Sequence, residues 1–315
     1  MENIVINDRY ITTTEIGHGG YAKVFLAFDK ITSTYVAIKL LKCDIEKEKK
    51  SYSMFKQEAM TLAAIENPYV VKVHESGVHE NNPYLVMDYI KGKSLKKIIN
   101  ENGYLLVDEV YSYFSQILMG MEACHNANII HRDLKPLNIV KKADGAIVIL
   151  DFGLAFIPNE DVNLYEIDPT SVACTVQYMA PELVENPEGT IQTDIYALGI
   201  TMYEMFTGKC PFNSADPNDK IAVIKMHQHT AFPSVRKINP SVPESFEKII
   251  YKCCDKDPSK RYKNVNELYC DLLMAYDEYK NPKVEKKSFW QKIFKKEKWS
   301  WKVLLLSQSL VIFMF

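Results

Sequence analysis

The sequence HRDLKPLN fills residues 131–138, and the sequence DFG begins at Asp151. Asp133 supplies a carboxylate that can accept the proton of an attacking hydroxyl group. Asn138 and Asp151 supply the hard oxygen atoms that Mg²⁺ prefers, and Lys135 supplies a cation for a γ-phosphate. The alternative, a polar turn followed by an accidental DFG, is remote at this length and order. The stretch therefore predicts a site for phosphoryl transfer.

Upstream, a lysine interrupts the apolar, β-rich sequence VAIK at residues 36–39. Side chains alternate along a strand, so Ala37 and Lys39 face the same side. A charge within an apolar strand is costly unless it is paired. Glu58, in the helix predicted over residues 47–65, is the candidate partner. Lys39 is therefore either a cation for α/β-phosphates or an edge-strand lysine whose ammonium group reaches solvent.

A glycine-rich stretch, GHGGYAKV, occupies residues 17–24 between two predicted strands. Glycines there let backbone N–H groups approach phosphates closely. The pattern departs from G-x-G-x-x-G because Ala22 holds the third glycine position. By itself it is weak, since a glycine-rich hairpin is the commoner interpretation. The sequence contains no Walker A motif, so a P-loop NTPase is not supported.

The apolar patterns predict a β-rich part with one helix, followed by a helical part, with the boundary near residues 87–91. A cleft between two such lobes is a common ligand site. Strands are predicted within residues 10–41, near 70–73 and near 84–87. Further helices are predicted around 110–121, at 194–207 with Gly208 as C-cap, and near 217–227, 244–254 and 264–279.

The composition, 47% hydrophobic and 25% charged, is that of an ordinary globular protein. Seven cysteines with no C-x-x-C pair and no Cys/His ligand spacing indicate a reducing, cytosolic compartment. The N-terminal residues MENIVINDRY lack a basic segment followed by an apolar one, so no signal peptide is expected. No nucleic-acid partner is predicted.

Taken together, these motifs resemble the protein-kinase superfamily, specifically the eukaryotic-like (Hanks-type) Ser/Thr kinases of bacteria. The resemblance covers about residues 10–279, and the motifs arrive in the order of that family. The downstream ones are Ala180-Pro181-Glu182, Asp194 and Arg261. The resemblance implies that Glu182 pairs with Arg261 and that Asp194 braces the catalytic loop.

The resemblance implies an α+β, bilobal protein-kinase fold with an N-lobe over 10–90 and a C-lobe over 91–279. It implies ATP as phosphate donor, Mg²⁺ (or Mn²⁺ in its place) as the metal, and proteins as substrates. The implied catalytic residues are Asp133, Lys135, Lys39, Glu58 and Thr175. The implied metal ligands are Asn138 and Asp151. The implied nucleotide contacts are Gly17, His18, Gly19, Gly20, Tyr21, Ala22, Val24, Ala37, Lys39, Met87, Asp88, Ile90 and Val140.

The resemblance also indicates the acceptor class. Lys135 within HRDLKP is typical of the Ser/Thr subgroup, and Thr175 stands seven residues before Glu182, where that subgroup has a Thr bonded to the catalytic Asp and Lys. Cys174 departs from the family, which usually has Gly there.

Arg132 precedes the catalytic Asp, and such kinases often need a phosphate in the activation segment. Thr170 and Ser171 lie within that segment, residues 151–182, so autophosphorylation there, within a transient homodimer, is expected.

Two alternatives belong to other classes. A pseudokinase scaffold would be expected to lose Lys39, Asp133 or Asp151, yet all three are present. A small-molecule kinase is disfavoured by the activation segment and by Arg261. His227 and His229 suggest a metal pair, but a solvated loop after a helix is the preferred interpretation.

The C-terminal region is basic and then apolar. Residues 280–302 contain nine Lys and two Glu, a net charge of +7, so the rest of the chain carries −9. Trp299 and Trp301 stand at the start of a largely apolar run, residues 303–315. This order is typical of the cytoplasmic side of a membrane anchor.

The length of the apolar run leaves several interpretations open. From Trp299 to the last residue a helix would span about 25 Å, against a hydrocarbon core of roughly 30 Å. Four interpretations remain open: a short spanning anchor, an interfacial helix, a longer span of which only part is present, and a tail packed on the protein's own body. Membrane attachment, with the kinase domain cytoplasmic, is favoured.

Overall fold

The computed structural model describes residues 4–18, 22–42, 52, 56, 59–150, 176–186, 189–216 and 218–282. In these residues a lobe built on a β-sheet precedes a lobe that is mainly helical. The α+β bilobal architecture predicted from the sequence is therefore confirmed.

The N-terminal lobe contains a six-stranded antiparallel sheet with the strand order β1-β2-β3-β4-β6-β5. Sequential strands pair directly along most of it, as expected for short connections. The strands are β1 (Val5–Ile6), β2 (Tyr10–His18), β3 (Ala22–Asp29), β4 (Thr34–Leu41), β5 (Val73–His79) and β6 (Asn82–Asp88).

Strand β4 is buried on both faces over residues 36–39. Val36 and Ile38 belong to the core cluster on one face of the sheet, together with Tyr10 and Tyr84. The residues between them therefore project from the other face. That second face carries the lysine of the VAIK sequence.

One predicted strand was misplaced. The strand predicted near residues 70–73 begins only at Val73 and runs to His79 as β5. Val70 forms an isolated bridge to Ile149, and Val71 N donates to Ile149 O at 3.0 Å. These apolar residues are buried because they meet the C-terminal lobe, and their pattern was mistaken for that of a longer strand.

The C-terminal lobe contains six described helices and a small sheet with the order β7-β8-β9. The strands are β7 (Gly92–Ser94), β8 (Ile139–Lys142) and β9 (Ile147–Ile149). The helices are α1 (Leu95–Asn102), α2 (Val107–Asn126), α3 (Ile191–Thr207), α4 (Lys220–His229), α5 (Glu244–Cys253) and α6 (Val265–Lys280). The predicted helices are present, with ends shifted by a few residues.

Helix α3 forms the centre of this lobe. Every residue from Thr193 to Thr207 is buried, as the nearly continuous apolar sequence predicts. Gly208 ends the helix with a φ of 73°, which confirms the predicted C-cap. A rigid, buried helix of this kind can hold the loops that pack against its ends.

The chain divides into two compact units after Ala275. The first unit, Met1–Ala275, contains both lobes, and of the second the structure describes the end of α6 and the next two residues. The predicted basic segment from residue 283 onward and the apolar segment 303–315 lie outside the described residues. Within the described ranges, no helix is both long and apolar enough to cross a membrane.

Candidate active site

The loop that carries HRDLKPLN is braced from the core by Asp194, in the first turn of α3. This buried carboxylate accepts hydrogen bonds from the backbone N–H groups of His131 and Arg132, at 2.8 and 2.9 Å, and lies 2.9 Å from His125 Nε2. Arg132 has a φ of 64°, in the left-handed region that non-glycine residues rarely occupy. Charge-assisted bonds to the N–H group of that residue and to the N–H group of the residue before it hold the turn. The expected bracing by Asp194 is confirmed.

The carboxylate of Asp133 is held in place by two neighbours on the same loop. Lys135 Nζ donates to both carboxylate oxygens, at 2.8 and 2.6 Å, and Asn138 Nδ2 donates to Oδ2 at 3.0 Å. The Asp133 side chain is nevertheless 32% exposed, whereas that of Lys135 is 8% exposed. The site thus presents a fixed carboxylate to solvent, supported from behind by a buried ammonium group.

The amide of Asn138 has a defined orientation. Its Nδ2 donates to two acceptors, the Asp133 carboxylate and the Asp133 carbonyl at 2.9 Å, so Oδ1 is the atom left to accept or to ligate. An amide oxygen is a suitable ligand for a hard divalent cation. The second predicted ligand, Asp151, lies outside the described residues. The donor chemistry at this position therefore fits the predicted cation.

The backbone just before Asp151 is also held at this loop. Leu150 N donates to Asn138 O at 2.7 Å, and the Leu150 carbonyl lies 3.1 Å from His131 Nε2. His131 Nδ1 accepts from Asp133 N at 3.3 Å, which assigns the ring proton to Nε2. The loop thus fixes the chain next to Asn138 at the residue that precedes the DFG sequence.

Lys39 lies in the N-terminal lobe, on the face of β4 opposite the core cluster. It is directly across from Val24 on β3, and Ala37 is directly across from Met87 on β6. Directly opposed residues share a face of a sheet, so all four side chains project to the same side. Lys39, Ala37 and Met87 are each less than a tenth exposed. The sheet therefore gathers the predicted phosphate lysine and three predicted nucleotide contacts on one surface.

Three further predicted nucleotide contacts lie where the lobes join. Val140 is buried on β8 and pairs with Ser94, while Asp88 and Ile90 lie at and just after the end of β6. Asp88 N donates to Lys72 O at 3.0 Å, and Asp88 Oδ1 lies 2.7 Å from His74 Nε2. Contacts from Lys72 and His74, at the start of β5, therefore hold the connection between the lobes.

The glycine-rich stretch is described only at its two ends. Gly17 pairs with Val24, and His18, the last residue of β2, places Nδ1 2.8 Å from Glu15 Oε1. Ala22 opens β3 and is buried. The other predicted site residues, together with the predicted phosphorylation positions, lie outside the described residues: Gly19, Gly20, Tyr21, Glu58, Asp151, Thr170, Ser171, Cys174 and Thr175.

The predicted pair between Glu182 and Arg261 is present and bidentate. Arg261 Nη1 and Nη2 donate to the two Glu182 oxygens at 2.7 and 2.8 Å. The guanidinium group is fully buried, and its remaining N–H groups donate to backbone carbonyls, including Gln192 O at 2.8 Å. This pair fixes the turn Pro181–Val184 against the start of α3.

The interpretation of His227 as part of a solvated loop is wrong. It lies within α4 and is 1% exposed, its Nδ1 is 2.7 Å from Tyr196 Oη, and its ring packs edge-on against Phe212. His227 is four residues after buried Val223, so both fall on the inner face of the helix. His229 is exposed. In the part of the chain that the structure describes, no group of His, Cys, Asp and Glu forms a metal site.

Sequence reasoning missed a buried charged cluster in the C-terminal lobe. Glu204 on α3 is fully buried and contacts Lys96 of α1 and Tyr178 of the turn Val176–Tyr178. The available signal was an acidic residue within the nearly continuous apolar run that follows Asp194 in α3. Its partners could not be read from the sequence, because Lys96 is 108 residues away.

A sheet lobe that presents a buried lysine, joined to a helical lobe that presents a fixed Asp-Lys-Asn loop, defines a protein of the kinase fold. A profile of the protein kinase domain matches residues 10–272. The chain is 35% identical over 282 residues to a probable serine/threonine-protein kinase of Clostridium acetobutylicum, covering 89% of this chain and 42% of that protein. It is also 35% identical over 272 residues to the serine/threonine-protein kinase PrkC of Bacillus subtilis, covering 86% of this chain and 41% of that protein.

A solved structure supports the same fold. The crystal structure of the Mycobacterium tuberculosis PknI kinase domain matches with a TM-score of 0.68 at 19% identity, covering 87% of this chain and 99% of that one. The chain belongs to the protein kinase family, among the Hanks-type Ser/Thr kinases of bacteria. It spans about 42% of the length of the curated relatives it matches.

Proposed function

We propose that this protein transfers the γ-phosphoryl group of ATP to Ser and Thr hydroxyls of proteins. The family uses ATP and a divalent cation, and the related bacterial proteins are named as serine/threonine kinases. The observation that carries the proposal is the carboxylate of Asp133, fixed between Lys135 Nζ and Asn138 Nδ2 and still open to solvent.

In this mechanism Asp133 orients the acceptor hydroxyl and takes its proton as the oxygen attacks the phosphorus. Lys135, already within 2.8 Å of both Asp133 oxygens, stabilises negative charge between that carboxylate and the γ-phosphate. Lys39 neutralises the α- and β-phosphates, in an ion pair with Glu58. Thr175 forms hydrogen bonds with Asp133 and Lys135 and completes the surface that receives the acceptor hydroxyl. These groups act mainly by positioning and electrostatics, as phosphoryl transfer requires.

Asn138 Oδ1 and the Asp151 carboxylate would hold the metal of this reaction, Mg²⁺ or Mn²⁺ in its place. When bound, it would neutralise charge on the phosphates. Val24, Ala37 and Val140 would contact the adenine, and the glycine-rich residues 17–22 would cover the phosphates. Asp88 and Ile90 offer backbone groups to the base, beside the gatekeeper Met87.

Activation is proposed to involve autophosphorylation at Thr170 and Ser171 within a transient homodimer, with the added phosphate neutralising Arg132. A pseudokinase scaffold or a small-molecule kinase is less well supported. The catalytic residues are retained, and Glu182, at the end of a protein-kinase activation segment, pairs with Arg261.

The test compares wild type with Asp133→Asn, using radiolabelled ATP, Mg²⁺ and dephosphorylated casein. Loss of the base should lower kcat by roughly 10²–10⁴-fold while ATP affinity is retained. The matched control is Asp144→Asn, since Asp144 is an exposed aspartate in the β8–β9 turn. Mass spectrometry should find phosphate at Thr170 or Ser171 in wild type and the control only. Undiminished turnover in Asp133→Asn would refute the assignment of the base.

We also propose that the C-terminal region attaches the kinase to the cytoplasmic face of a membrane. The support is sequence order alone: nine lysines within residues 280–302, a Trp pair and an apolar run over residues 303–315.

A further inference from the structure

A fully buried carboxylate, Glu204, lies on the central helix α3. Lys96 donates to its Oε1 from α1, and the hydroxyl of Tyr178 donates to its Oε2. Cys210 Sγ lies 3.6 Å from the same Oε2. Burial first, and then the neighbouring Cys210 and Glu204, raise the pKa of Tyr178 above its usual range, so its hydroxyl remains a donor. We refer to Lys96, Glu204 and Tyr178 as the Glu204 cluster.

A gain in folding stability does not by itself explain why the chain has this cluster. A buried ion pair is often no more stabilising than apolar residues of the same volume, but removing one partner leaves an uncompensated charge. Lys96 is the partner that reaches solvent, with a side chain 37% exposed, and Leu95, Ile98 and Ile99 hold α1 in place independently. The ammonium group can therefore be removed without removing the packing of its helix.

The cluster holds one end of the segment 176–184. Tyr178 is the last residue of the turn Val176–Tyr178, and Glu182 follows four residues later in its bidentate pair with Arg261. The segment is thus fixed at two points, at Tyr178 through its hydroxyl to buried Glu204 and at Glu182 through its pair with the fully buried Arg261. The first anchor is three residues after Thr175, the proposed partner of the catalytic Asp.

The nucleotide contacts lie elsewhere. Val24, Ala37, Lys39 and Met87 are on strands of the N-terminal lobe, and Val140 is on β8, whereas the Glu204 cluster is built from α1, α3 and the turn before residue 179. A change in the cluster is thus expected to move the surface on the acceptor side of the site without moving the surface that receives ATP.

We propose that Lys96 is a positioning residue for the protein substrate: through Glu204 it fixes Tyr178, and so holds segment 176–184 in the arrangement that receives the acceptor polypeptide. The proposal rests on the proposed kinase function and adds a specific role to a residue outside the catalytic loop.

The test measures KM for dephosphorylated casein and KM for ATP separately in Lys96→Met. KM for casein should rise roughly tenfold, while KM for ATP stays within about twofold of wild type. Lys96→Arg, which keeps the charge, should restore the wild-type value. Lys97→Met is the matched control, because Lys97 is the next residue on α1 and its side chain is exposed.

A second variant covers the case in which Lys96→Met does not fold. Tyr178→Phe removes only the hydroxyl that contacts Glu204, and it should raise KM for casein selectively as well. An unchanged KM for casein in folded Lys96→Met, or a parallel rise in both KM values, would overturn the proposal. So would a wild-type KM for casein in Tyr178→Phe.

The same variants are also built in the Asp133→Asn background, where no turnover occurs. Fluorescence anisotropy then compares their affinity for casein directly. Absence of transfer by wild type would therefore refute the kinase function, and the role of Lys96 would still be decided by the binding data.

Discussion

His227 combines a titratable ring with a site that disfavours its charge. Burial first, and then the positive charge of Lys256, lower its pKa from 6.5 to about 3. Below pH 6.5 the unfolded chain binds a proton at this position and the folded chain does not, so the free energy of unfolding falls with decreasing pH. The stabilising contribution is complete above pH 6.5 and is lost between there and about pH 3.

We therefore expect His227→Gln to reduce the pH dependence of stability. Between pH 7.5 and pH 5 the free energy of unfolding of wild type should fall by about 2 kcal/mol more than that of the variant. Urea unfolding at several pH values measures this difference. His229→Gln, an exposed histidine on the same helix, should retain the wild-type slope. Parallel slopes for wild type and His227→Gln would contradict the buried, neutral assignment.

At the scale of single residues, the sequence predicted the contacts between side chains that are close together in the chain. Asp133, Lys135 and Asn138 are within six residues of one another, and their hydrogen bonds close within one loop. The burial of His227 was missed because it depends on Tyr196 and on the inner face of α4. The i, i+4 spacing from Val223 was a signal that could have found it.

Among the helices, α3 and α5 approach each other closely at Gly199. A Cβ there would lie 2.5 Å from Cys254 Sγ and 2.6 Å from Cys253 Cβ, closer than real contacts allow. The absence of a side chain at this position thus sets how close the two helices pack. Neither helix can accommodate the added methyl group without moving.

We expect Gly199→Ala to destabilise the protein by about 1–3 kcal/mol, although alanine is the better helix former. Gly120→Ala on α2 is the comparison, since its nearest contact would be the flexible end of Ile149 at 2.9 Å, and it should cost less. Thermal unfolding ranks the two variants. If Gly199→Ala were as stable as wild type, α3 and α5 could move apart at little cost in free energy, and the prediction would be wrong.

Elements were predictable where one periodicity dominates. The β-rich apolar run of β4 and the nearly all-apolar sequence of α3 predicted the correct elements, and Gly208 marked the correct helix end. The strand near residues 70–73 was misplaced because an apolar run buried between lobes has the same pattern as a strand. Local sequence does not distinguish the two forms of burial.

Across the whole molecule, the order of motifs predicted the two lobes, but not the long-range ion pairs within the C-terminal lobe. Glu182–Arg261 was expected only through the family resemblance, and Lys96–Glu204 was not expected at all. Pairs separated by 79 and 108 residues have no signature in local periodicity. Lys96–Glu204 joins α1 to α3, and Glu182–Arg261 joins the turn Pro181–Val184 to the segment before α6, so both depend on tertiary packing that the sequence does not specify position by position.

The last prediction concerns attachment to a membrane. The basic residues 280–302 and the apolar residues 303–315 would act by different forces, so salt can separate them. The full chain should cosediment with vesicles containing phosphatidylglycerol, and a chain ending at Pro282 should not. Raising salt from 0.15 M to 1 M shortens the screening length from about 8 Å to about 3 Å, which weakens the lysine contribution but leaves apolar insertion intact.

Two matched variants separate the contributions. Replacing Lys286, Lys287, Lys295 and Lys296 by Gln should weaken binding at low salt and leave the salt-resistant fraction unchanged. Replacing Leu304, Leu305, Ile312 and Phe313 by Ser should leave only binding that salt removes, because each buried apolar side chain contributes about 1.5–3 kcal/mol to insertion. Equal recovery of the full and shortened chains in the supernatant would rule out attachment through this region, whereas binding lost entirely at 1 M salt would assign it to surface charge alone.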